Sequence, residues 1–504
     1  MDPKSGFCRD NNTFYSLRPT PNLPPLDLTS YIFSLIPNPP LSSPALVDAS
    51  AKSHLSYDDV VLILSPPSIY VPIIYLCFLS LGAIISPSNP VSTKSEIEHQ
   101  IQISKPVLIF SHSSTAHKIP AQNRVILIDS HKFHRLIESP RSSSKRVTIE
   151  PDDPATILYS SGTTGGVKGV ILTHRNYTAV LAELWAARVE KRTCLFITVP
   201  IFHVFGFTAC LKGLAFGETV VLMGEGRFEV RFVCRAVEEW RAVGFDLGSL
   251  EVVGSGGAPL GKEVIGRFRA RFPWLRVVQG YGLTETSGGI YRTLTPEECL
   301  RYGSSGRLSG GFEARIVDPN TLQPLPPCHK GELWVRGPTI MKGYIGNEEA
   351  TTSILDSEGW LKTGDLCYID NEGYLFVVDR LKELIKYKAY QVAPADLEGI
   401  LLSHLEIADA AVVPGDKWFY CRKKWMGHLF IHHLYPDEEA GQIPMAFVVR
   451  KPHSILNEAQ VMDFVAQQRI RRIVFTNSIP KTPAGKLLRK DLIQRALAMP
   501  ASKL

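Results

Sequence analysis

No two cysteines in this chain stand in a CxxC pair. Nine of them, Cys8, Cys77, Cys194, Cys210, Cys234, Cys299, Cys328, Cys367 and Cys421, are spread singly over 504 residues. That odd, scattered set argues against a disulfide framework and a zinc site, and implies a reducing compartment. Charge of one sign is also scarce: 55 Lys and Arg against 49 Asp and Glu leave a net charge of +6. With the basic residues distributed along the chain, neither nucleic acid nor an acidic partner is favoured. The one short cluster, "RIRR" at 469–472, is expected to be a solvated helix or strand edge. The N-terminal stretch lacks an apolar core, so no secretory signal peptide is expected. Long apolar runs are few. "SIYVPIIYLCFLSLGAII" (68–85) is uncharged and long enough to span a bilayer, but it contains Pro72, lacks basic flanks and runs into the turn-like "SPSNP". A buried helix and strand of an α/β core is the expectation, with no membrane span. Internal repeats and low-complexity tracts are absent.

A chain of 504 residues is too long for one ordinary core, so two or more domains are expected. Short apolar runs ("ATILYSS", "TCLFITVP", "ETVVLM", "LEVVGSGG") alternate with helical segments ("RFVCRAVEEWRAV", "GKEVIGRFRARF"). This alternation predicts an α/β fold whose large N-terminal domain, 1–380, holds stacked and largely parallel sheets. From about 305 to 380 the texture becomes "FEARIVD", "GELWVRG" and "GYLFVVD" between Gly, Pro and Asp turns, predicting a small β-rich subdomain. The joint is expected near "VVDRLKELIK" (377–386). Beyond it, 381–504 reads as a smaller C-terminal α/β domain, beginning with a helix and a strand in "APADLEGILLSHLEIADAAVV".

The chemistry-bearing segment is "YSSGTTGGVKGV" (159–170). A Walker A loop would need a second glycine where Val167 stands and a hydroxyl after Lys168, where Gly169 stands, so it is not a P-loop. Ser160, Ser161, Thr163 and Thr164 nevertheless offer hydroxyls, Gly162, Gly165 and Gly166 allow close backbone approach, and Lys168 adds charge. Taken alone, the segment suits a polyphosphate or a flexible surface loop equally. Its companions decide. "QGYGLTETSGG" (279–289) suits Tyr281 to a flat base, Thr284 to a phosphate and Glu285 to a metal ion. "GWLKTGDLCYIDNEGYLFVVDR" contributes Asp365 and Arg380, an acid and a cation suited to the two hydroxyls of a ribose. "IPKTPAGKLLRKDL" places Lys486 between a Pro/Gly turn and a terminal helix, where a lone lysine would ordinarily be a solvated charge.

In this order and span, from about residue 25 onward, these segments resemble the acyl-adenylate-forming superfamily of acyl-CoA synthetases, firefly luciferase and peptide-synthetase adenylation domains. "VPIFHVFGF", "VVGSGGAPLGKEV", "DRLKELIKYKAYQVAPADLE" and "IPKTPAGKLLRKDL" are most similar to plant 4-coumarate:CoA ligases and their peroxisomal ligase-like relatives. The resemblance implies two steps: a carboxylic acid attacks the α-phosphate of Mg-ATP to give acyl-AMP, and CoA then displaces AMP. It places residues 160–168 on the β and γ phosphates, Thr284 on the α-phosphate and Glu285 on Mg²⁺. Gly257, Ala258 and Tyr281 would frame the adenine, with Gln279 and Gly280 also binding the nucleotide and Asp365 and Arg380 on the ribose. Lys486 would bridge the carboxylate and the α-phosphate. The C-terminal domain would then swing about Lys382, which also lies by the nucleotide, bringing Lys386 and Gln391 to the adenylate. Arg227, Lys388 and Ala389 would line the CoA path. His203 would close the acyl pocket or open the thiol tunnel, its alternative being a satisfied core histidine. Phe205 and Ala209 fall where hydroxycinnamate ligases carry hydroxyl side chains, implying a less polar acid, a fatty acid or jasmonate precursor.

Three blocks depart from the resemblance. "LSYDDVVLILSP" lacks an amphipathic helix before its strand, "EEWRAVGFDLGSLEVV" (238–253) lacks a strand and helix of the acyl-pocket wall, and "GDKWFYCRKKWMGHLFIHHL" (415–434) is an insertion. Ala389 also replaces a glycine. An inactive or misassembled ligase-like chain is therefore a second expectation beside an active ligase, luciferase-type oxygenation a minor third, and a peptide-synthetase module is disfavoured because no carrier domain follows. The terminal "SKL" matches the tripeptide read by the peroxisomal import receptor, so a peroxisomal location is expected.

Overall fold

The structure is a computed structural model. It describes residues 1–36, 59–138, 148–161, 167–188, 193–222, 250–258, 260–387, 390–415, 442–465, 470, 472–481 and 487–497. A seven-stranded sheet runs in the order Gly343–Tyr344, Val167–Thr173, Pro154–Ser161, Ile84–Ser88, Val60–Leu64, Leu108–Ser111, Val125–Leu127. From Pro154–Ser161 to Val125–Leu127 neighbours are parallel. Val167–Thr173 and Gly343–Tyr344 close the other edge antiparallel. The central strand VVLIL is buried along its length, as a parallel strand covered on both faces must be. The apolar run at 68–85 becomes the helix Tyr70–Ser80 and the strand Ile84–Ser88, with Pro72 in the helix's first turn, where a missing N–H does no harm. Among the described residues no helix is long and apolar enough to cross a membrane.

The β-rich unit is a six-stranded antiparallel sheet, and it extends beyond 305–380. Its order is Phe7–Cys8, Thr13–Tyr15, Glu313–Val317, Gly331–Arg336, Leu361–Ile369, Leu375–Arg380, so an N-terminal hairpin forms its edge. Phe14 pairs with Ala314 across some 300 residues of chain, a contact without local signature. A four-stranded sheet carries Val252–Ser255, Arg276–Leu283, Gly288–Arg292 and Arg307–Leu308, while Cys194–Ile197 and Thr219–Leu222 form a parallel pair of their own. No described strand joins that pair to the edge strand Val252–Ser255. The predicted helix "RFVCRAVEEWRAV" lies outside the described residues.

Past residue 384 the chain builds separate cores around Ile385, Leu401, Val412 and Val448, and around Ala411, Met445, Phe447 and Leu492. Ile407–Gly415, Ile443–Arg450 and Arg472–Phe475 form its sheet, covered by the helices Pro394–Ser403, Glu458–Phe464 and Arg489–Leu497. Gly415 still pairs with Ile443, so the sheet is intact up to the insertion. The "RIRR" expectation is corrected where it can be seen: Ile470 and Arg472 are buried, Arg472 opening the third strand.

One buried group makes the fold acid-sensitive. His174, fully buried at the start of the helix His174–Ala186, accepts the Leu28 N–H on Nδ1 at 3.2 Å, tying the N-terminal helix Leu28–Leu35 to the core. Burial pushes its imidazole down to about 4 from 6.5. A folded pKa below the unfolded one gives stability that is complete above pH 6.5 and is lost as pH falls toward 4, by about 3 kcal/mol. Thermal unfolding of the wild type should show that loss, and His174→Gln should flatten the slope. A pH-independent wild type would refute it.

Candidate functional site

The strand Arg276–Leu283 is the spine of the site. It lies parallel to Val252–Ser255, with Ser255 opposite Gln279, and antiparallel to Gly288–Arg292, with a register shift between Tyr281 and Gly282. A Cβ on Gly282 would stand 1.8 Å from the Gly288 carbonyl oxygen, so the bulge requires glycine. The chain then enters the 3₁₀ turn Thr284–Thr286. Thr286 Oγ1 donates to the Gly288 carbonyl at 2.7 Å and accepts the Leu283 N–H at 2.8 Å, while the Thr339 hydroxyl donates to the Thr286 carbonyl at 2.7 Å. This bracing holds Thr284 and Glu285 in place. Beside the spine, a small cleft is lined by Ser255, Ala258, Leu260, Gln279, Gly280 and Val377, gathering three of the residues expected at the nucleotide, Ala258, Gln279 and Gly280. Gly257 precedes Ala258 at φ +86°, a conformation that suits glycine.

Two distant segments meet under this cleft. Asp365 and Arg380 are cross-strand partners, with Nε 3.5 Å from Oδ1. Tyr281 donates its hydroxyl to Asp365 Oδ2 at 2.7 Å. Both Tyr281 and Asp365 are buried. Burial, reinforced by Asp365, pushes the Tyr281 phenol well above its ordinary value, so it stays a donor. Tyr281 therefore serves Asp365 through its hydroxyl more than it offers an open ring face.

Around the segment expected to hold phosphates, Pro154–Ser161 and Val167–Thr173 are antiparallel strands with Ser160 opposite Lys168 and Ser161 opposite Val167. A Walker loop leads from strand to helix; this segment joins two strands, which agrees with the failed motif. Gly162, Thr163 and Thr164 lie outside the described residues. Lys168 Nζ sits 4.8 Å above the ring of Tyr344. The Tyr344 hydroxyl donates to Glu285 Oε1 at 2.8 Å, and the Met341 N–H reaches the Glu285 carbonyl at 2.9 Å. Burial, and then the Glu285 carboxylate, raise the Tyr344 phenol. Tyr344 was not singled out by sequence: it is 59 residues from Glu285, in a two-residue strand, with no pattern to mark it. Among the described residues no cluster of three or more metal-binding side chains exists. A single carboxylate beside a phosphate site fits Mg²⁺, which keeps several waters and leans on one or two carboxylates plus substrate phosphates.

His203 caps the helix Val204–Ala215, its Nδ1 accepting the Phe205 N–H at 3.4 Å, which places the ring proton on Nε2. Phe205 and Ala209, one turn apart, are both half-buried. The Phe205 ring lies 3.7 Å from where a Cβ on Gly256 would stand, so the acyl-pocket candidates abut the glycine run beside the cleft.

Lys382 is exposed in the turn Leu381–Glu383. Lys386 lies opposite Gln391 in the hairpin that follows. Lys388, Ala389, Lys486 and Arg227 lie outside the described residues. The flanks of Lys486 are anchored: Leu487 bridges Lys481, and Arg489 reaches Glu383 at 2.7 Å and also grips Glu398. Asp379, just before the joint, accepts the Ala395 N–H at 2.9 Å.

Residues 53–345 match the model of the AMP-binding enzyme family. The chain is 43% identical over 575 aligned positions to 4-coumarate--CoA ligase-like 9 of Arabidopsis thaliana, covering 100% of this chain and 98% of the relative. That span exceeds the chain's own 504 residues, so blocks of the relative have no counterpart here. It is also 43% identical to peroxisomal OPC-8:0-CoA ligase 1 of Arabidopsis thaliana, covering 98% of each. Among solved structures, the o-succinylbenzoate-CoA synthetase of Bacillus subtilis in complex with ATP and a magnesium ion superposes with a TM-score of 0.68 at 26% identity, covering 86% of this chain and 89% of that one.

Proposed function

The chain belongs to the AMP-binding enzyme family and is an ATP-dependent CoA ligase of the adenylate-forming kind; from that premise we propose that it activates an apolar carboxylic acid and passes it to CoA. The carboxylate oxygen attacks the α-phosphorus of ATP, pyrophosphate leaves, and the mixed anhydride acyl-AMP remains. The CoA sulfur then attacks the acyl carbon and AMP leaves with the bonding pair. An anion meets an anion in the first step, so its barrier is electrostatic and positional. The observation that carries this reading is the convergence of Tyr281, Asp365 and Arg380 beside the cleft, with Lys168 and Glu285 meeting on Tyr344.

In this reading Asp365 and Arg380 hold the ribose, Gly257, Ala258, Gln279 and Gly280 the adenine, and Ser160 to Lys168 with Thr284 the phosphates. Glu285 holds Mg²⁺, which supplies charge neutralisation on the phosphates. Lys486 serves adenylation; Lys386, Gln391 and the CoA-path residues serve thioester formation after the C-terminal domain, 381–504, turns about Lys382. Phe205 and Ala209 face the acid, with no hydroxyl to meet a phenol, which favours a fatty acid or cyclopentanone acid over a hydroxycinnamate. One relative is a peroxisomal ligase for OPC-8:0; together with the terminal "SKL", this supports a peroxisomal address through the import receptor.

A second reading has a specific observation behind it. Among the described residues no strand joins the pair Cys194–Ile197 and Thr219–Leu222 to the sheet of Val252–Ser255, the place where the acyl wall was expected to be short. A chain with a broken wall would bind ATP without turning over. Pyrophosphate release should be screened with cinnamic, medium-chain, long-chain and cyclopentanone acids, with and without CoA. We expect turnover with an apolar acid, accelerated by CoA; ATP binding with no turnover on any acid would leave the second reading standing.

A further inference from the structure

We propose that Tyr344 is a positioning residue that sets the Glu285 carboxylate for Mg²⁺ and fixes it relative to Lys168. This rests on the reading of Glu285 as the metal-holding group. Tyr344 lies on the edge of the seven-stranded sheet, pairing with Val170 two residues from Lys168. Its N–H donates to Thr351 Oγ1 at 2.9 Å, and the next N–H, of Ile345, donates to the Gly169 carbonyl at 2.9 Å. The backbone that carries the ring is thus held by two hydrogen bonds, one to a side chain and one to the neighbouring strand. From there the ring reaches the other sheet. Its hydroxyl binds Glu285 Oε1 at 2.8 Å, while Met341, from the same segment, holds the Glu285 carbonyl at 2.9 Å.

Segment 341–345 therefore brackets both the backbone and the side chain of Glu285. With Oε1 committed to the phenol, the carboxylate is fixed in orientation, and Oε2 is left to face a cation. A flexible glutamate would have to lose its rotamer freedom on metal binding; here that cost is met in advance. A face of the same ring lies 4.8 Å from Lys168 Nζ, within cation–π range, so the ammonium meant for the phosphates is registered to the metal carboxylate through one aromatic side chain.

The two contacts can be separated by substitution. Tyr344→Phe keeps the ring under Lys168 and removes only the hydroxyl; Tyr344→Leu removes both. Binding of α,β-methylene-ATP, which cannot release pyrophosphate, should be measured by titration calorimetry on the full chain with Mg²⁺ and with EDTA. For Tyr344→Phe we expect the tightening caused by Mg²⁺ to shrink ~10-fold, with affinity in EDTA unchanged, which also reports an intact fold. Tyr344→Leu should in addition weaken binding in EDTA. In turnover, Tyr344→Phe should raise the Mg²⁺ activation constant by a similar factor and keep kcat at saturating metal. Full Mg²⁺ tightening in Tyr344→Phe, alongside its loss in Glu285→Gln, overturns the role of Tyr344 alone. If Glu285→Gln keeps the tightening, the metal assignment of Glu285 fails, and the role of Tyr344 with it.

Discussion

Lys486→Ala is expected to lower acid-dependent exchange of pyrophosphate into ATP by ~10³-fold, while leaving thioester formation from supplied acyl-AMP and CoA within a few-fold of wild type. In the first half-reaction a carboxylate approaches a phosphate already carrying negative charge, and the transition state shares that charge between the two. A cation bridging them is worth most at that moment, because it stabilises the transition state more than either ground state. In the second half-reaction the nucleophile is a thiolate and the leaving group is AMP, and the proposed rotation has taken Lys486 away. On the described flanks, Leu487 bridges Lys481, and Arg489 is held by Glu383 and Glu398. Lys386→Ala should show the reverse division, with exchange retained and thioester formation slowed. Equal losses in both half-reactions for Lys486→Ala would refute the division of labour.

How far the sequence discloses such a site depends on whether a residue's role is set locally or by distant pairing. The phosphate segment excludes a P-loop by its own spacing, and the antiparallel flanks, with Ser160 opposite Lys168, agree. The run at 68–85 becomes a helix and a strand as expected, but it breaks at Gly82 (φ +78°), with Pro72 inside the helix and Ser86–Ser88 of the turn-like "SPSNP" inside the strand. The N-terminal hairpin was illegible, because Thr13–Tyr15 acquires its partner only some 300 residues later, at Glu313–Val317. Tyr344 was illegible for the same reason. A lone tyrosine in "MKGYIGNEEA" becomes informative only when the fold sets it between Lys168 and Glu285. Arg472 reads as a solvated charge from its basic neighbours, yet it is buried at the start of an edge strand. Local composition cannot report which arginine the sheet will cover.

Asp365→Ala is the second large effect. Two groups, one buried and one half-buried, depend on that carboxylate: it accepts the Tyr281 hydroxyl at 2.7 Å and stands 3.5 Å from Arg380 Nε. Removing it leaves a buried phenol without its acceptor and a guanidinium without its counter-charge, costing about 3 kcal/mol of stability. It also removes the acceptor proposed for the ribose hydroxyls. Two charge-assisted hydrogen bonds of about 1.5 kcal/mol each amount to ~100-fold in nucleotide affinity. Stability and binding losses can be told apart by the analogue 2′,3′-dideoxy-ATP, which lacks both hydroxyls. Wild type should bind it ~100-fold more weakly than ATP, and Asp365→Ala should bind the two nearly alike. Asp365→Asn, which keeps an acceptor for Tyr281 and loses only the charge, should recover most of the stability and little of the discrimination. If wild type does not distinguish ATP from the dideoxy analogue, Asp365 and Arg380 do not hold a ribose. The Tyr281–Asp365–Arg380 unit would then be a purely structural tie between the four-stranded and six-stranded sheets.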